Sequence, residues 1–321
     1  PLLRKVTRAM SKRTLPRILQ APAVVLLLIW MLVPLSMTLY FSFIRYVLNS
    51  TIRPEWMSPT LSNWRGFGNY QYVLNAKDFW FAIQNSVFIV SSILVLTVIL
   101  GLGIAVLINR SFPGRGIVRV LLISPFFVMP AVNAVLWINM ILGPVLGLNG
   151  LAVAGLNDII DGLRDFPIVG GFFSMWPQLE PISFRATQTS SYAVIMMVAW
   201  QWTPFAVLIF MTSLQSEDES QKEAATLDGA SPWSQFINLT VPHLARPIAI
   251  VVMIQSIFHL SLYAEIEIVS RGNGNKNLPY LIGEFISNNI GAASATGIFA
   301  VILANIIAIF LLRMVGKSLM D

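Results

Sequence analysis

Six apolar stretches of twenty or more residues divide this chain, and a soluble core has no use for so many. They run roughly over residues 22–45, 81–108, 117–141, 191–214, 247–269 and 296–315. A helix needs about 20 apolar residues to cross a hydrocarbon core about 30 Å thick, so each stretch is expected to span a membrane. The runs are continuous rather than alternating, which argues against a β-barrel. Composition agrees, since 56% of the 321 residues are hydrophobic and only 11% are charged. The expected fold is an all-α polytopic membrane protein with six transmembrane helices.

Pro34, Gly101, Gly103, Pro125, Pro130 and Pro204 fall inside these stretches. In a bundle, neighbouring helices satisfy the backbone groups such residues free, so they do not veto a span. The first stretch is far longer than the apolar core of a signal peptide, about 7–15 residues, and is read as a retained helix.

Lys and Arg set the orientation. With the N-terminus inside, the inner segments hold Arg4, Lys5, Arg8, Lys12, Arg13, Arg17, Arg110, Arg115, Arg119, Lys222, Arg246, Arg313 and Lys317, the larger share of the 21 basic residues. Both termini are then expected in the cytoplasm. The net charge of +6 reads as topology and contact with lipid headgroups, because the basic residues are spread along the chain rather than gathered for nucleic acid.

Catalytic and metal chemistry is hard to place here. The absence of cysteine excludes disulfides and thiolate sites, and His243 and His259 are the only histidines. Gly316-Lys317-Ser318 has the last letters of a phosphate-binding loop, but the glycine that motif needs upstream is Leu311, inside an apolar stretch. Glu265 and Glu267 near the outer end of the fifth stretch are read as reaching headgroups or a wet cavity wall. A proton relay would call for an acid–base partner at the midplane, and none accompanies them.

The polar residues within the stretches are Gln84, Asn85, Asn133, Asn139, Gln201, Thr203, Gln255, His259 and Asn305. Each costs free energy facing lipid and is expected to turn inward, either bonding helix to helix or lining a pathway. Trp200, Trp202, Phe205 and Phe258 add aromatic faces beside Gln201 and His259, a combination suited to a neutral, hydroxyl-rich solute.

Between the fourth and fifth stretches lies a polar segment, residues 215–246. The region 216–227 is rich in helix formers and ends at Gly229, which tolerates a left-handed exit. Ser231 then suits an N-cap with Pro232 at the first helical position, opening a second helix expected to stop before Pro242. The outer segment 142–190 is expected to pack as a small cap with short helices.

The spacing Glu223-Ala224-Ala225, Gly229, Leu239-Thr240-Val241-Pro242 resembles the EAA motif, E-A-A-x3-G-x9-I-x-L-P, of membrane subunits of bacterial ABC importers. Leu239 and Val241 replace the usual Ile and Leu. Asp228 with Ala230-Ser231 extends the likeness to the L-D-G-A-S form of carbohydrate importers. Trp80 with Asn85-Ser86, Pro125 with Trp137, Gly147-x-Asn149-Gly150 and Trp200-Gln201-Trp202-Thr203-Pro204-Phe205 are similar to elements of maltose-type permeases. The chain departs at Gly272-Asn273-Gly274-Asn275-Lys276-Asn277, where the family often has G-G-P.

The resemblance implies the ABC importer permease fold, with residues 80–321 as the permease domain and 1–79 as an appended basic N-terminus, helix and outer segment. It implies a second homologous permease, two ATPase subunits that hold ATP and Mg2+, and an external solute-binding protein, with no cofactor on this chain. Glu223, Ala224, Ala225, Asp228, Gly229 and Pro242 would then seat the cytoplasmic coupling helices on an ATPase. Gln201, Trp202, Phe205, Gln255, Phe258 and His259 would occupy the sugar-contacting positions. The cargo implied is a sugar, polyol or sugar derivative. An importer of glycerol-phosphate and a lone proton-coupled transporter are the alternatives.

Overall fold

A computed structural model describes residues 14–47 and 61–320, which form helices and no β-strand. In chain order these are α1 (Thr14–Ser42), α2 (Gly68–Asn75), α3 (Lys77–Asn109), α4 (Arg115–Ile123), α5 (Pro130–Leu136) and α6 (Leu148–Arg164). A short turn at Gly170–Phe173 precedes α7 (Ser190–Leu214), α8 (Glu219–Leu227), α9 (Pro232–Gln235), α10 (Ala245–His259), α11 (Ala264–Ser270), α12 (Leu278–Ile286) and α13 (Ile290–Met320). The basic residues Arg4, Lys5, Arg8, Lys12 and Arg13 lie outside the described residues.

Among the described residues α1, α3, α7 and α13 are each long and apolar enough to cross a membrane. Two further spans are broken. Arg115–Phe127 and Pro130–Ile141 meet at 104°, and Pro232–His243 and Ala245–His259 at 55°, so six spans result only if each bent pair counts as one. The third expected span is therefore a bent pair rather than one continuous helix. Pro130 disfavours a helical conformation at Met129, and Met129 is extended at φ −60° and ψ 139°.

The fifth stretch is broken as well. α10 ends at His259, and the chain restarts as α11 after residues 260–263. Restarting lets α11 turn Glu265, Ile266 and Val269 inward, so Glu265 is buried instead of reaching headgroups. The second arm of the elbow does not stop before Pro242 either. Phe236–Thr240 forms a π-turn in which the Val241 N–H reaches the Phe236 carbonyl, and this wider turn admits the proline without a break. At the far end α13 stays helical through Gly316, Lys317 and Ser318, so no phosphate-binding loop forms.

The chain divides into two compact units. In the larger, Ala76–Leu281 with Ala300–Asp321, α3 and α7 form the central pair. Gly101 makes their approach possible, since a Cβ there would stand 2.7 Å from the Ala206 Cβ and 3.3 Å from the Phe210 ring. Ala105, Ala206, Val207, Phe210 and Leu244 fill one buried cluster, and Ile89, Ile93, Ala134, Val194, Met197 and Ile266 fill another. Burying a side chain of this kind contributes about 1.5–3 kcal/mol in water; between lipid-facing helices the gain comes from packing instead.

The 33 residues of α3 make a rod about 50 Å long at 1.5 Å per residue, so α3 must tilt or project beyond the hydrocarbon. Residues 142–190 contain one helix of 17 residues, α6, longer than the short helices expected. Its return is tied by Asn157, which donates to the Leu179 carbonyl and accepts from the Leu179 N–H, both at 2.9 Å.

The smaller unit joins the described residues up to Asn75 with Ile282–Phe299. Asn69 is buried and donates to the carbonyls of Ser42 (2.9 Å) and Ile44 (2.7 Å), closing the end of α1 onto α2. Phe43 and Trp64 stack at 5.3 Å beside them.

Candidate functional site

Two constellations collect the residues singled out by sequence. The first is the elbow between α7 and α10. Asp218 caps α8, its carboxylate accepting from the Ser220 N–H at 2.9 Å. Hydrogen bonding from the Ser220 side chain, and then from its backbone N–H, holds the Asp218 carboxyl below its ordinary value. At the other end Gly229 sits at φ +80°, the Ala230 N–H reaches the Ala225 carbonyl and the Gly229 N–H reaches Thr226. This pair of bonds is the Schellman closure, which satisfies carbonyls that a helix end leaves orphaned.

Ser231 caps α9 by accepting from Ser234 N–H at 3.2 Å, with Pro232 at the first helical position. Gln235 reaches back across the turn to Thr226 Oγ1 (3.0 Å) and the Ala230 carbonyl (3.1 Å), so the angle between the arms is held by side chains as well.

The base of the elbow is anchored. Glu217 accepts from Thr240 Oγ1 at 2.9 Å and pairs with Lys222 at 2.8 Å, while His243 Nε2 lies 2.9 Å from the Ser213 carbonyl at the end of α7. Glu223, Ala224, Asp228, Gly229 and Pro242 are exposed, and Ala225 is half-buried. Leu227 and Trp233 are exposed too, 89% and 71%, and present a large apolar surface on the elbow. Sequence reasoning passed over both as contact residues. An apolar residue just before a helix-ending Gly and another just after a Ser-Pro cap were the available signals.

The second constellation gathers on α7 and α10 around Trp202. Its ring meets Phe126 (5.4 Å), Phe205 (6.0 Å), Phe258 (5.0 Å) and His259 (5.1 Å), and Phe126 stacks on Phe205 at 5.9 Å. Trp202 and Phe205 are half-buried and Phe258 is exposed. Sequence reasoning missed Phe126, which the proline-broken third span brings here.

His259 is buried, and neither ring nitrogen has a hydrogen-bond partner. Such an orphan is expensive, and a buried polar atom without a partner calls for an explanation.

The two glutamines of the set are committed elsewhere. Gln255 accepts from Thr97 Oγ1 at 2.8 Å and donates to the Trp202 carbonyl at 3.3 Å, binding α10 to α3 and α7. Gln201 accepts from Asn133 at 2.9 Å and donates to the Val128 carbonyl, binding α7 to the broken third span. Their amides join helix to helix. Asn139 and Asn305 donate to carbonyls of their own helices.

The glycine–asparagine segment after α11 is also ordered. Arg271, Gly272 and Gly274 adopt positive φ, and Asn277 is buried with its amide donating to the Leu262 carbonyl at 2.7 Å. A Cβ on Gly274 would collide with the Thr187 carbonyl. Among the described residues no group of His, Asp or Glu is placed to hold a metal ion.

Comparison with known proteins places these features in a family. The trehalose/maltose transport system permease protein MalF of Thermococcus litoralis is 29% identical over 234 residues, 73% of this chain and 68% of its own. The sn-glycerol-3-phosphate transport system permease protein UgpA of Agrobacterium fabrum is 25% identical over 317 residues, 95% of this chain and 96% of its own. In the crystal structure of a bacterial alginate ABC transporter, in complex with an alginate pentasaccharide-bound periplasmic protein, one chain superposes with a TM-score of 0.70 at 18% identity. That match covers 94% of this chain and 93% of the other, and it carries the fold. The profile of one family matches residues 97–321, the whole of α7 and the elbow included, and the chain belongs to it: the binding-protein-dependent transport system inner membrane components.

Proposed function

We propose that this permease subunit imports a neutral sugar, polyol or sugar derivative, with ATP hydrolysed by separate subunits. The observation that carries the cargo assignment is the orphaned imidazole of His259 at the edge of the Trp202 cluster. Aromatic faces cover the apolar side of a sugar ring, and an unpaired imidazole offers a donor and an acceptor to its hydroxyls. Trp202, Phe205, Phe258 and His259 are the contacts in this reading. Gln201 and Gln255 hold the helices that carry them.

The rival cargo is glycerol-phosphate, which the name of one relative makes concrete. A phosphate calls for Arg or Lys. The ring neighbours of Trp202 include none, which favours the neutral cargo.

The same reading places a second homologous permease beside this chain, a solute-binding protein outside and two ATPases, with their ATP and Mg2+, beneath. The basic N-terminus puts both termini and the elbow in the cytoplasm. There Glu223, Ala224, Ala225, Asp228, Gly229 and Pro242 seat on an ATPase, and Leu227 and Trp233 add apolar contact. Coupling of this kind needs an element that both sites bias, and a rigid elbow gripped by a moving partner meets that need.

The test is substrate competition in proteoliposomes holding the whole assembly. A neutral sugar should block uptake of the binding protein's own ligand while glycerol-phosphate does not; the reverse result overturns the cargo assignment. Uptake by this chain alone on a proton gradient would restore the reading of a lone secondary transporter.

A further inference from the structure

Arg119 and Arg115 lie one turn apart on α4 and carry buried nitrogens without a partner: Nε and Nη2 of Arg119 and Nε of Arg115. Among the described residues no carboxylate pairs with either. A guanidinium with idle donors at a protected position is a site waiting for an acceptor.

Arg119 opens into a cavity of about 230 Å3, which it shares with Thr212 and Gln215 at the end of α7 and with Pro204, Val207 and Leu208 further along. A second cavity of about 350 Å3, lined by Leu96, Leu100, Ile104, Met196 and Trp200 among others, shares Leu122, Pro204 and Val207 with the first. Together they make a trough with a cationic end and a long apolar end. The cationic end lies level with Gln215, where α7 gives way to the polar elbow, as expected at a headgroup boundary. On the same helix Ile117, Val120 and Leu121 are 69%, 70% and 64% exposed, so the surroundings of both arginines are apolar.

We propose that Arg119, supported by Arg115, holds the phosphate of an anionic phospholipid whose acyl chain lies along the trough. The shape decides between sources of phosphate. A free phosphate ion would use the cationic end and leave the apolar end without a purpose, whereas one amphiphile fills both. Two arginines favour a headgroup with net negative charge over a zwitterionic one.

Native mass spectrometry of the full-length chain in detergent tests the assignment, with phosphatidylglycerol, phosphatidylcholine and inorganic phosphate as separate probes. Phosphatidylglycerol should bind in preference to phosphatidylcholine, and Arg119→Gln should weaken it on the order of tenfold, the worth of a lost charge-assisted hydrogen bond. Arg119→Lys should fall between. Leu122→Trp, which narrows the trough where the cavities join and leaves both arginines in place, should weaken lipid binding as well. It decides the question if Arg119→Gln fails to fold.

Equal phosphatidylglycerol binding by the wild type and Leu122→Trp, or by the wild type and folded Arg119→Gln, overturns the proposal; a trough filled by a second permease gives that result. Displacement of the lipid by inorganic phosphate points to a free-anion site and overturns it too.

Discussion

The Thr240 hydroxyl donates to Glu217 Oε1 at 2.9 Å, so the second arm of the elbow is bonded to the link that precedes the first. Lys222 pairs with the other oxygen of the same carboxylate at 2.8 Å. Thr240→Val should leave a nearly buried carboxylate oxygen unpaired, at a cost of about 1–3 kcal/mol. Hydrogen exchange in residues 219–243 should quicken in Thr240→Val and return to normal in Thr240→Ser. Unchanged protection in Thr240→Val would mean the bond does not hold the elbow.

At Gly229 the constraint is conformational, because a Cβ there meets nothing within 4 Å and φ is +80°. Gly229→Asn should therefore be tolerated and Gly229→Val should cost about 1–2 kcal/mol. Gly229→Pro, which cannot reach positive φ, and Glu223→Lys should leave membrane insertion intact and lower the ratio of cargo moved to ATP hydrolysed. Normal ratios in both variants would sink the docking role.

Gly101 poses the opposite problem, since space is what it lacks. Gly101→Val should overpack the α3–α7 contact at Ala206 and Phe210, costing about 1–3 kcal/mol and lowering the unfolding temperature in detergent. Gly103→Val, where a Cβ meets nothing within 4 Å, should be close to neutral. Equal unfolding temperatures for the two variants would contradict this packing.

In the aromatic cluster the roles divide by residue. Trp202→Ala and His259→Ala should impair uptake while assembly persists, and Trp202→Phe should keep part of the activity. Gln201→Ala should act through stability, because its amide is spent on Asn133 and Val128. Unchanged uptake in both Trp202→Ala and His259→Ala would remove the cluster from the pathway.

Much of this was legible in the sequence, where local chemistry decides. Apolar length marked the spans, and Gly229 with Ser231-Pro232 marked the turn, because φ preference and capping act within a few residues. What tertiary packing decides stayed hidden. The partners of Gln201 and Gln255 on other elements, Asn133 and Thr97, could not be read from spacing. Phe126 joins the cluster from the arm that precedes the break at Pro130, and Pro242 is passed within an arm that a π-turn precedes. The orphaned nitrogens of His259 and Arg119 are properties of a packed environment, which residue spacing does not encode.

The most direct measurement is ATP-dependent uptake of a neutral sugar into proteoliposomes carrying this chain with its companion permease, ATPases and binding protein, comparing wild type with Glu223→Lys. The account predicts sugar accumulation by the wild type only when ATP is inside, and ATP hydrolysis without accumulation in the variant. Sugar accumulation that persists without ATP, or that is undiminished in Glu223→Lys, would contradict it.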